Sequence, residues 1–100
     1  MLDKTEERKG RKKKPTDEEL IKRFQEGDVY AFELLVNRFK DPLVNFVYNF
    51  VKNKVEAEDI VQETFLRVFK KKHQYRDIAK FSTWIYTIAG NLAKTEKQKK

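Results

Sequence analysis

Apolar residues in this chain recur every three or four positions, and no segment alternates apolar and polar residues between hairpin turns. That period leaves helices, each burying one stripe, as the only regular structure available. The clearest stripe lies in residues 56–73. Ile60, Val61, Thr64, Phe65, Val68 and Phe69 fall on one side of it at 100° per residue. Three further segments obey the same rule. Thr16 and Glu19 stand at capping-box spacing, with acidic residues in the first turn, and open a helix that runs to about Glu26. Gly27 stops it in the left-handed region and Asp28 caps the next start. The second helix carries Phe32, Leu35, Val36 and Phe39, and its pattern resumes after Asp41-Pro42 with Leu43, Phe46, Val47 and Phe50. Either two short helices meet at the proline or one helix kinks there, and the kinked single unit is preferred. A last helix over about 81–96 has Phe81, Trp84, Ile85, Ile88, Ala89 and Leu92 as its stripe. The fold class is therefore all-α, a small antiparallel bundle of about four helices, three long and one short. The aromatic residues on the stripes belong to its core.

One hundred residues, 39% of them hydrophobic, make one domain with a modest core. There is no cysteine, which excludes disulfides, thiolate metal sites and a cysteine nucleophile. The first fifteen residues hold no apolar stretch of the secretory type, and no apolar run approaches the roughly 18 residues that span a bilayer. A cytoplasmic protein with no membrane partner is expected. His73, the single histidine, ends a basic helix without a serine or cysteine partner, so neither a triad nor a metal site is assembled around it. The three glycines are widely separated and make no phosphate loop. On the helical wheel Glu58 points away from Asp59 and Glu63, which argues against a carboxylate pair or a magnesium site. No enzymatic activity, cofactor or metal is expected.

The formal charge is +7 and the isoelectric point about 9.6, which points to an anionic partner, nucleic acid first. The charge is uneven. Residues 1–15 hold seven basic and three acidic residues, a net +4 with little to pack, and read as a disordered basic arm. Residues 55–63 carry a net −4, residues 67–80 a net +5, and residues 93–100 a net +3. The expected layout is the arm at 1–15, the helical domain at 16–97 and a basic tail at 98–100.

Two polar faces stand out. Asp59, Gln62, Glu63 and Leu66 follow i, i+3, i+4, i+7 spacing and form one line opposite the core stripe. An exposed leucine among carboxylates suits docking on a basic partner helix. On the last helix Thr83, Thr87, Gly90, Asn91, Lys94 and Lys97 share the polar side, where hydroxyls, an amide and lysines suit phosphates and base edges. The linker Gln74 to Lys80 sets Tyr75 beside Arg76, the combination that stacks an unpaired base over a basic groove. Tyr75 and Asn91 are expected to meet where the linker joins that polar face, with Arg76 and Lys94 on phosphates; the alternative is that Tyr75 plugs the end of the bundle and Asn91 is a solvated helix residue.

The run AEDIVQETFLRVF, with HQYRDIAKFSTWIYTIAGNLA after it and EELIKRFQEGDVYAFELLVNRFKDPL before it, resembles region 2 of bacterial sigma factors, the extracytoplasmic-function group above all. The resemblance covers about residues 17–96. It implies a module that joins RNA polymerase core enzyme and recognises and melts the promoter −10 element on the non-template strand. In that family the acidic segment docks on the β′ clamp helices, which implies core-polymerase contacts by Glu58, Asp59, Gln62, Glu63 and Leu66. The loop before FSTW captures a flipped base, which implies DNA contacts by Tyr75, Arg76, Lys80, Thr83, Thr87, Asn91 and Lys94. An anti-sigma factor is a further implied partner, masking either face. Departures are visible. Gly90 and Thr87 stand where relatives often place arginine or another large residue, and Gly90 either lets DNA approach closely or weakens the helix end. The tail KTEKQKK replaces an arginine-rich ending, and the domain that binds the −35 element is missing, so a piece of a longer factor is expected. Two other readings compete: a protein–protein adaptor, which should ignore single-stranded DNA, and a helix-turn-helix repressor, which needs a tight turn between short helices.

Overall fold

Capping chemistry sets where the helices begin. The computed structural model describes the backbone of residues 14–99 and the side chains of residues 14–96. Helix α1, Asp17–Gln25, opens on a complete capping box: Glu19 N donates to Thr16 Oγ1 at 3.0 Å, and Thr16 N donates to Glu19 Oε1 at 2.9 Å. Gly27 then takes φ +109°, which frees the chain to reverse into α2, Val29–Val51. Asp28 caps α2 by accepting from Ala31 N at 3.3 Å. Lys52, left-handed at φ 57°, turns the chain into α3, Lys54–Lys70, whose cap is Asn53 accepting from Glu56 N at 3.0 Å. A 3-10 turn, Lys72–Gln74, and a short loop lead to α4, Phe81–Lys99.

The all-α class, the four elements and the single unit across Pro42 agree with the sequence reading. Pro42 and Asp41 lie on the exposed side of α2, so the hydrogen bond that proline withholds faces water. Three boundaries differ. Capped by Asn53, α3 starts at Lys54, two residues before Glu56, and it ends at Lys70 rather than 73, where the chain tightens into the 3-10 turn. Helix α4 runs on to Lys99, so 98 and 99 continue the helix instead of forming a separate tail. The proposed basic arm falls, but for Lys14 and Pro15, outside the described residues.

Each helix runs antiparallel to the one before it, so α2 and α4 point the same way. Their fully buried side chains include Leu20 and Phe24 of α1, Leu35, Leu43 and Val47 of α2, Val68 of α3, and Phe81 and Ile85 of α4. Truncating one of the two phenylalanines to alanine costs about 3–5 kcal/mol. Thr64 is the polar member, and it is satisfied because its hydroxyl donates to Ile60 O at 2.8 Å. Rings lock the elements together. Phe24 stacks on Phe32 at 4.8 Å, Phe39 meets Phe81 at 5.6 Å, and Phe46 meets Tyr86 at 4.9 Å. Phe69 departs from its stripe. It is 45% exposed, because at the last turn of α3 only the end of α1 and the start of α2 remain to cover it, and its ring touches Phe24 and Phe32 at 5.3 Å.

Gly90 is buried in α4 and its missing side chain faces Phe46, with a Cβ built there 3.8 Å from that ring. This is ordinary contact, so an alanine side chain fits there without strain. Gly90→Ala is expected to raise stability by about 1 kcal/mol, or about 4–8 °C in Tm; thermal and urea unfolding check it, and a loss of stability contradicts this packing.

Candidate functional site

Helix α4 has no local cap. Lys80 precedes it, and lysine offers no acceptor to the first free N–H groups. The acceptor comes from α1: Phe81 N donates to Glu18 Oε2 at 2.8 Å, which also sets a carboxylate on the positive end of the helix dipole. The rest of the linker is tied to the same helix. Gln25 Nε2 donates to Lys72 O at 2.7 Å and to Tyr75 O at 3.2 Å. Lys72 returns the contact, donating Nζ to Phe24 O at 3.2 Å and lying 4.3 Å over the Phe24 ring. Arg38 of α2 holds the other end of α1 through Asp17 Oδ1 at 2.9 Å and Pro15 O at 2.6 Å.

This anchoring decides the fate of Tyr75. The sequence reading put its ring on the linker surface for base stacking; the structure buries it to 7% exposure. With its backbone held by Gln25, the ring turns inward between Phe81 at 5.7 Å and Trp84 at 5.4 Å. Its hydroxyl donates to Ala79 O and closes the loop on itself. Burial raises the phenol above its ordinary pKa of 10.0, helped by the nearby carboxylates of Glu18, Asp77 and Asp17. The sequence reading assigns no anchoring role to Glu18, Gln25 or Lys72, and counts Lys72 only within the basic stretch 67–80. The uncapped Lys80 signals the need for Glu18, whereas Gln25 reaches partners 47 and 50 residues away with no local sign.

On α3, Asp59, Gln62 and Glu63 are exposed and Leu66 is 45% exposed, so the four form a ridge. Grooves run along both sides of it. Asp59 and Glu63 line the one shared with Leu92 and Thr95 of α4, and Glu58 and Gln62 line the one shared with Val36 and Lys40 of α2. Glu58 thus diverges from Asp59 and Glu63. Glu63 pairs with Arg67 at 3.3 Å, an exposed i, i+4 pair that contributes a few tenths of a kcal/mol. Among the described residues no group of three or more His, Cys, Asp or Glu stands as a metal-holding cluster.

Arg76, Lys80, Thr83, Thr87, Asn91 and Lys94 are all exposed. From Lys80 to Lys94 they form a line about 21 Å long at the helical rise of about 1.5 Å per residue. Two expectations need correction. Thr87 Oγ1 donates to Thr83 O at 2.8 Å, so toward a ligand it offers lone pairs and a methyl group, not a donor for phosphate. Asn91 lies ten residues, about 15 Å, beyond Phe81 along α4, while Tyr75 packs at the start of that helix. The two cannot share one base pocket. Ten residues, 71–80, separate α3 from α4, which is not the tight turn of a helix-turn-helix. No helix among the described residues is long and apolar enough to cross a membrane.

The family model Sigma-70 region 2 matches residues 35–100. RNA polymerase sigma-H factor of Pseudomonas aeruginosa is 37% identical over 78 residues, 78% of this chain and 40% of that protein. ECF RNA polymerase sigma-E factor of Escherichia coli K12 is 38% identical over 79 residues, 79% of this chain and 41% of that protein. The chain spans about two-fifths of the length of these curated relatives. Among solved structures, the NMR complex of an engineered region 2 of sigmaE with GTAAAA matches at TM-score 0.77 and 36% identity, covering 85% of this chain and 88% of that one.

Two outcomes follow from the anchoring. Glu18→Ala is expected to cost about 1 kcal/mol, as loss of a cap does, and to speed amide exchange at Phe81; unchanged exchange contradicts the tertiary cap. For Tyr75, a folded pKa above the unfolded value means that its stabilisation is full below about pH 10 and is lost as pH rises through the folded pKa. Tyr75→Phe removes that alkaline component from the stability profile, which urea titrations of both proteins between pH 8 and pH 11 measure.

Proposed function

The chain belongs to the sigma-70 region 2 family, and from that premise we propose that it docks on RNA polymerase core enzyme and recognises and melts the promoter −10 element. One observation carries the reading: acidic and basic surfaces are sorted onto different helices. The α3 ridge offers Asp59, Gln62, Glu63 and Leu66, with Glu58 on its flank, to the β′ clamp helices. The loop and α4 offer Arg76, Lys80, Thr83, Asn91 and Lys94 to the non-template strand, with Thr87 adding acceptors and a methyl surface. The solved relative, an engineered region 2 of sigmaE, is in complex with GTAAAA. The module works by binding, not by catalysis, in the cytoplasm where its polymerase and promoter are. An anti-sigma factor acts by covering the ridge or the DNA face.

Melting sets the energetic demand. Each base that leaves the stack costs a few kcal/mol, and contacts made only with the unpaired strand must return it. Tyr75 serves this by holding the 75–80 loop in shape, so that Arg76 and Lys80 meet the strand from a fixed backbone. Its own ring stays in the bundle.

Replacing Asp59, Gln62 and Glu63 together by alanine is expected to weaken binding to purified core polymerase while the helical circular dichroism is unchanged; equal affinity removes the ridge from the assignment. With a labelled single strand carrying GTAAAA, affinity falls with salt at a log–log slope of about −0.7 per phosphate neutralised. Arg76→Ala, Lys80→Ala and Lys94→Ala each lower the magnitude of that slope by about 0.7. Tight, sequence-specific duplex binding by this chain contradicts the reading and favours a repressor.

A further inference from the structure

The three grooves between the long helices differ in charge. Glu56, Asp59, Glu63 and Glu96 line the one between α3 and α4, and Asp41 and Glu58 line the one between α2 and α3. Among the described residues, none that lines the groove between α2 and α4 is a carboxylate. Its floor is aromatic: Phe46 lies 5.3 Å from Phe50 and 4.9 Å from Tyr86, edge to face, and all three rings are half-buried. Gly90 adds no side chain to cover the Phe46 ring, and Asn91 and Lys94 stand along the rim.

Each of these groups has a use toward one kind of ligand. Flat apolar rings accept a planar ring by stacking or edge contact, at about 1–3 kcal/mol per base. An amide supplies one donor group and one acceptor, enough to read a base edge. A lysine supplies the cation for the adjoining phosphate, and no carboxylate repels it. A base inside a duplex cannot enter, because its faces are already stacked.

We infer that the groove between α2 and α4 binds one unpaired base of single-stranded DNA, with the base against Phe46 and Phe50, Asn91 on its edge and Lys94 on its phosphate. This rests on the reading above that the chain holds the opened −10 strand, and it adds a site that the loop does not supply. It also gives Asn91 a base partner despite its distance of about 15 Å from the start of α4.

The test uses fluorescence anisotropy with a labelled single strand carrying GTAAAA, and a series of the same strand with one abasic position each. For the wild-type chain, one abasic position is expected to weaken binding about 5- to 150-fold, the range of one lost stack. Phe50→Leu keeps apolar volume but removes the ring. It should weaken binding of the intact strand by a similar factor, and binding of that one abasic strand hardly at all. Phe50→Tyr, which restores the ring, should bind as the wild type does. Equal affinity of Phe50→Leu and wild type for the intact strand, at matched salt and matched helical signal, overturns the groove assignment. So does an equal loss by Phe50→Leu on every abasic strand. Failure of the wild-type chain to bind any of the strands overturns the single-strand reading beneath it, a result distinct from either.

Discussion

Helix α4 depends on a carboxylate that sits 63 residues earlier in the chain. Without Glu18 the first N–H groups of α4 have no protein acceptor at Lys80, and the helix carrying the proposed DNA contacts begins unsupported. The same short helix α1 holds the linker backbone through Gln25 and receives Lys72 on its last turn. Arg38 fixes its other end to α2. A helix of nine residues, too short to be stable alone, therefore acts as a clamp between distant parts of the bundle. The family match begins at residue 35, beyond α1.

Opposite charges coexist on so small a body because they lie on different helix faces. The acidic ridge lies along α3, flanked by grooves toward α2 and α4. The basic line runs down the other flank of α4, beside a groove with no carboxylate among the described residues that line it. Sorting charge by helix face keeps the lysines of α4 from being neutralised by the ridge. In the proposed function it lets one partner of each sign approach at once, and the rigid loop fixes the register between them.

Much of this was legible from residue order. Capping at Thr16 and Asp28, the stop at Gly27 and, Phe69 apart, the stripes of α2, α3 and α4 follow from local rules, and the structure repeats them. The rest was set by contacts that local rules do not see. An aromatic beside an arginine reads alike whether it faces solvent or the core, and for Tyr75 the decision came from Gln25 and from Phe81 and Trp84. The helical rise sets Asn91 about 15 Å beyond Phe81; what residue order did not show is that the Tyr75 ring stays at the start of α4, packed on Phe81 and Trp84. Phe69 follows its stripe in the sequence, yet it is 45% exposed while its neighbour Val68 is buried. The hydroxyl of Thr87 looks like a donor in a sequence; in a helix the carbonyl of Thr83 claims it.

The central claim is that the two faces work together, one on the polymerase and one on the strand. Binding of a labelled GTAAAA strand to the chain already saturated with core polymerase tests it most directly, followed by sedimentation with all three components present. The account predicts a complex with one chain and one strand per polymerase, and strand affinity no weaker than for the free chain. Mutual displacement, with the strand released as polymerase binds, would contradict it.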